Sequence, residues 1–182
     1  MCYNVAMKTK AIYLLASVFG LLCAFGSDRP HWRIDEDVDR MSDRVTYILH
    51  IDGDPVAITP YLKEPPSLVL QITPTDNGKY YVDVLIRLRT DMFSRNGAMV
   101  DVRFDKGEVV SSYWKPSQLR DSVFAPNPNK LLPSLRNSKI LSVRYVTSLD
   151  YVRATSFRLS GLNAAIAEVK RRVKARKETP VD

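Results

Sequence analysis

Cysteine is almost missing from this chain: of 182 residues only Cys2 and Cys23 are cysteines, and both stand in an N-terminal stretch that reads as a removable leader. Once that leader is cleaved, the remaining chain has no thiol. A disulfide framework, a Cys-based zinc site and a cysteine nucleophile are all excluded by that alone. Histidine is nearly as scarce. His31 adjoins Trp32 and His50 ends a predicted strand, and neither has a partner at metal-ligand spacing. Ser111, Ser112 and Ser117 lack a Gly-x-Ser-x-Gly elbow and, with two histidines in all, a Ser/His/Asp triad has almost no candidates. Gly107 and Gly161 are isolated, so no phosphate-cradling glycine loop is present. Beyond the leader no apolar run approaches membrane-spanning length. There is no internal repeat and no low-complexity stretch.

One acidic run invites comparison with a calcium loop. Asp35-x-Asp37-x-Asp39 supplies the first three ligand positions, but Arg40 stands where the loop needs glycine and Thr46 where it needs a bidentate glutamate. The run reads as a solvated acidic strap, and no metal or other cofactor is expected.

The leader itself is well marked. Lys8 and Lys10 precede an apolar run from Ala11 to Phe25, and Ala24-Phe25-Gly26 offers small residues at the cleavage positions before polar Ser27-Asp28-Arg29-Pro30. The run is about fifteen residues, short of the roughly twenty that cross a bilayer. The reading is a signal peptide over residues 1–26 and export to the periplasm or the medium. Leu22 occupies the place before Cys23 where a lipobox wants a small residue, which argues against a lipoprotein anchor.

Charge is unevenly placed. The whole chain is +7, and loss of Lys8 and Lys10 leaves 25 basic against 20 acidic residues. Lys170, Arg171, Arg172, Lys174, Arg176 and Lys177 face only Glu178 and Asp182 in the last thirteen positions, so residues 27–169 are close to neutral. A near-neutral body with a basic tail over 170–182 is not the basic, aromatic-studded face of a nucleic-acid binder, and no nucleic acid is expected as a partner. The tail supports two other readings, a solvated helix end and contact with an anionic membrane surface through Lys170, Arg171, Arg172 and Lys174.

The body reads as short strands between turns: 45–51, 67–73, 80–89, 98–104, 108–114, 140–146 and 153–159. Asn77-Gly78 suits a tight hairpin with both central residues at positive φ. Along 80–89, Val82, Val84, Ile86 and Leu88 should face a core, while Tyr81, Asp83, Leu85, Arg87 and Arg89 are mostly wet. Trp114, Val102, Phe104, Val143 and Phe157 join the predicted core. Pro128 to Asn137 reads as a short helix limited by Pro133. Ser160 is a plausible N-cap for a second, whose stripe is Leu162, Ala165, Ile166, Val169 and Val173. That stripe should pack on the sheet through 162–169, with the chain beyond Val173 exposed and fraying. Seven strands without long intervening helices predict a mainly β protein, an antiparallel β-sandwich with a C-terminal helix over residues 27–169.

Several landmarks occur in a fixed order: Trp32, Pro66-x-Leu68-Val69, Val102-Arg103-Phe104-Asp105, Trp114-x-x-Ser117, Phe124, the Leu132/Leu135 pair, Leu141-x-Val143-Arg144 and Phe157-x-Leu159-Ser160-Gly161-Leu162-x-x-Ala165-Ile166. This set, over roughly residues 32–169, resembles the TagO/VasI group of periplasmic proteins associated with type VI secretion. More distantly it resembles the invasion-associated locus B proteins. The Arg-Cys pair that members carry after the Leu-Val strand is replaced here by Gln71-Ile72, and their second cysteine is absent. The resemblance implies an exported, non-enzymatic accessory protein of the cell envelope that binds an envelope or secretion-apparatus protein. The runner-up is a membrane-surface or lipid-binding protein acting through its basic helix. Arg103 and Asp105, two apart on one predicted strand and near Trp114, are candidate partner-binding residues.

Overall fold

The computed structural model describes residues 32–54 and 64–178; the leader, both cysteines and His31 lie outside them. Nine strands and two helices follow one another: β1 Arg33–Val38, β2 Val45–Asp52, β3 Ser67–Pro74, β4 Tyr80–Arg87, β5 Ala98–Phe104, β6 Val110–Pro116, β7 Ser122–Phe124, α1 Pro128–Asn137, β8 Ile140–Val146, β9 Val152–Arg158 and α2 Leu162–Glu178. Every strand pairing among the described residues is antiparallel.

The predicted sandwich of about seven strands in two sheets is corrected to nine strands in one open sheet, ordered β1-β2-β3-β4-β7-β6-β5-β8-β9. The joint is β7, three residues long, which pairs with β4 on one side and β6 on the other. Two arms, β1 to β4 and β6-β5-β8-β9, curl toward each other around one core. The end of β2 reaches the far edge strand, where the Asp54 amide donates to the Ser156 carbonyl at 2.9 Å. Gly53 allows that approach: a Cβ there would lie 2.5 Å from Thr155 Oγ1.

Alternation sets the inner faces. Tyr47, Leu49, Leu68, Leu70, Val84, Ile86, Val100, Trp114, Leu141 and Phe157 form one buried cluster with residues of both helices. Trp114 and Phe157 are core residues as expected, with Trp114 Nε1 donating to Ser112 Oγ at 2.9 Å. Val84, Ile86, Val102 and Val143 are also buried, while Val82 and Phe104 are partly buried against the cluster. Leu85 departs from the pattern: it is buried on the opposite face, across from Val69 and beside Phe124, in a groove bordered by Pro116 to Asp121. The β3–β4 turn also differs from expectation. Only Gly78 takes a positive φ, +77°, and Thr75 pairs with Lys79 around a three-residue loop.

Both helices form where their stripes predicted. α1 runs through Pro133 to Asn137 and buries Leu135. α2 buries Leu162, Ala165, Ile166, Val169 and Val173. Its start is set by Gly161, at φ +87°, whose carbonyl accepts the Ala165 amide; Ser160 stands one position too early to cap it. The helices are tied by a reciprocal pair, Arg136 Nε to Asn163 Oδ1 at 2.8 Å and Asn163 Nδ2 to the Arg136 carbonyl at 2.9 Å. α2 extends in one piece to Glu178, so the boundary drawn at 169 falls inside it. No helix among the described residues is long and apolar enough to cross a membrane.

Candidate functional site

The outer face of the β6-β5-β8-β9 arm carries the surface with the most chemistry. Strand register builds it row by row. Met99 lies opposite Tyr113, Val100 opposite Tyr145, and Val146 opposite Val152, which aligns Tyr113, Met99, Val146 and Val152 across four strands. Tyr113 is 46 % exposed, Met99 51 % and Val152 57 %, and the adjoining turn adds exposed Leu149 and Tyr151. The next row is polar. Asp101 accepts Ser111 Oγ at 2.6 Å and Arg144 Nε at 2.7 Å, and these bonds, Ser111 first, hold its carboxyl below the usual carboxylate range. Beyond it Arg103 faces Ser142, and Ser142 Oγ lies 3.2 Å from Ser156 Oγ. These residues line an open groove of about 460 Å³ that ends at Asp54.

The two strand candidates are therefore separated. Arg103 is exposed in the groove and forms no ion pair with a described residue. Asp105 lies past the end of β5 at φ +49°, and its Oδ1 accepts the amides of Lys139 at 3.0 Å and Ile140 at 2.9 Å. That carboxylate fastens the α1–β8 junction. Trp114, with its ring in the core, is out of reach of either as a surface contact.

The basic cluster on α2 is substantially paired. Glu168 accepts both Arg171, at 2.7 and 2.8 Å, and Arg172, at 2.9 Å, and its carboxyl is held down to about 2. Arg172 also reaches Glu36 of β1 at 3.1 Å. Lys174 lies 3.9 Å from Glu178, and Lys170 Nζ sits 6.0 Å from the centre of the Tyr80 ring. Asp35, Glu36 and Asp37, read as a strap, form the edge strand β1. His50 Nε2 lies 3.0 Å from Asp35 Oδ2, while burial and the nearby Arg33 keep its imidazole below the ordinary value. No group of three or more potential metal ligands occurs among the described residues.

Sequence reasoning missed a buried polar knot at the end of the second arm. Arg153, on the core side of β9, is almost fully buried; its guanidinium stands 3.7 Å from Asp91 and 4.9 Å from the centre of the Tyr151 ring. Burial, reinforced by Asp91, pushes the Tyr145 phenol far up. The signal available was Arg153 occupying an apolar position in an alternating strand.

The mainly β fold with its terminal helix defines only a structural class. No protein-family model matches the chain, and no curated protein matches it. Among solved structures, invasion associated protein B from Bartonella henselae is similar at 12 % identity and a TM-score of 0.49, covering 81 % of this chain and 97 % of that one.

Proposed function

We propose that this chain is an exported, non-enzymatic accessory protein of the bacterial envelope whose second-arm outer face binds another envelope or secretion-apparatus protein. The finer placement beside the type VI secretion-associated TagO/VasI group rests on the ordered residues quoted above and on the signal-peptide pattern of residues 1–26. The observation that carries the reading is the aligned row Tyr113, Met99, Val146 and Val152. An apolar stripe crossing four strands, bordered by the polar row of Asp101 and Arg144 with the unpaired Arg103 beyond it, has the make-up of an interface core with a polar rim. Cofactors play no part in this function, and nucleic acid is not a partner.

Photo-crosslinking tests it. A photoreactive residue at Met99 in the exported chain should capture one discrete envelope protein, and Tyr113→Asp or Val152→Asp should abolish the adduct. Tyr81, exposed on the other arm, serves as the control position. An adduct unchanged by both charge variants, or the same adduct from Tyr81, overturns the proposal.

A further inference from the structure

A second cavity lies at the opposite end of the core, where the last turns of α2 approach the β1–β2 and β3–β4 turns. Its volume is about 640 Å³, and it is lined by Arg44 of the first turn, Asp76 of the second, and Val173, Arg176 and Lys177 of α2, with Tyr47 among the lining. The side chains of Arg44, Arg176 and Lys177 form no ion pair or hydrogen bond with any described residue, although the Arg44 charge is felt by Asp39. This contrasts with Arg171 and Arg172 one turn earlier, which Glu168 and Glu36 engage. Tyr47 is 1 % exposed as a whole residue and lines this cavity, where its hydroxyl forms no hydrogen bond with a described residue. Burial, and after it the Glu36 carboxylate, push the Tyr47 phenol up, while the charges of Arg176 and Arg172 act the other way.

We propose that this groove binds a phosphate group, with Arg44, Arg176 and Lys177 supplying charge-assisted hydrogen bonds and the Tyr47 hydroxyl donating a fourth. The cations come from two separate elements, so they converge on a ligand only in the folded protein. Asp43 and Asp76 line the same space, and the carbonyl end of α2 adds negative partial charge. These set a limit of one phosphate and exclude a polyanion. The site is distinct from the basic cluster Lys170, Arg171, Arg172 and Lys174, and from the partner-binding face.

The test is calorimetric titration of the full chain, purified from an exporting host, with inorganic phosphate against chloride at matched ionic strength. Phosphate should bind and chloride should not. Arg44→Gln with Arg176→Gln should weaken binding by roughly tenfold or more, since two charge-assisted bonds are lost. Tyr47→Phe, which preserves the ring, should weaken it several-fold, and Asp43→Asn with Asp76→Asn should strengthen it. Sedimentation with phosphatidylcholine vesicles, with and without phosphatidylglycerol, separates the sources. Pelleting that the arginine pair abolishes assigns the phosphate to a lipid headgroup; phosphate heat without pelleting assigns it to a soluble ligand. Phosphate affinity unchanged by the arginine pair in a variant that melts like the parent overturns the proposal, as does phosphate binding no better than chloride.

Discussion

Asp105 and Ile140 bond each other twice. The Asp105 amide donates to the Ile140 carbonyl at 2.9 Å, and the Asp105 carboxylate accepts the Ile140 amide at 2.9 Å. The pair holds the end of β5 to the start of β8, and the same carboxylate oxygen takes the Lys139 amide at 3.0 Å. A residue singled out by sequence for surface binding thus has a fastening role, available to it because aspartate tolerates the left-handed φ of +49°.

Asp105→Ala should destabilise the fold by about 1–3 kcal/mol, through two amides left without their acceptor and an unfavourable φ. Asp105→Asn keeps an acceptor oxygen and should cost less. Urea unfolding of the three proteins measures the difference. Crosslinking through Met99 should survive in Asp105→Asn.

Arg153 and Asp91 give a sharper test. Asp91→Ala leaves a buried guanidinium without its counter-charge, and should cost about 3–5 kcal/mol. Replacing both, with Arg153→Met and Asp91→Leu, should recover most of that loss. A double-mutant cycle from thermal or urea melts reads the coupling directly.

The half-buried Glu168 clasp predicts an acid limb in stability. Its folded-state carboxyl lies at about 2, below the 4.5 of an unperturbed glutamate. Its contribution is therefore present above pH 4.5 and disappears as pH falls toward 2. Glu168→Gln should flatten the stability curve in that window and leave its shape above pH 5 unchanged. Added salt should shrink the difference between the two proteins.

Export predicts a processed N-terminus. Intact-mass measurement of protein recovered from an exporting host should give a chain beginning near Ser27. Retention of Met7 to Gly26, or a lipid on Cys23, would contradict it.

Much of the architecture was readable because alternation and helical periodicity are local. The stripe from Leu162 to Val173 came out as predicted, and so did seven of the strands. β1 escaped because Arg33-Ile-Asp-Glu-Asp-Val is rich in charge, the composition that protects an exposed sheet edge. β7 escaped because three residues carry no period. Its pairing with β4 and β6 is non-local, and that pairing turns two expected sheets into one. Of the face proposed for interaction, Arg103 was named from the sequence, whereas the row from Tyr113 to Val152 exists only through the register of four strands. The Tyr47 groove was hidden for the same reason, since Arg44 and Arg176 are brought together only by tertiary structure.

The order of strands across the sheet imposes an order of assembly. β4 waits for its second neighbour, which arrives only with residues 122–124, after β5 and β6, and α2 closes over the core near Tyr47 last among the described elements. A chain delivered N-terminus first would emerge with its apolar inner face bare until the last twenty or so residues arrived. Pairings of such long sequence separation form slowly. Truncation before Leu162 should accordingly yield aggregates instead of a smaller folded domain, and a holding chaperone at the exit would raise the yield of the intact chain.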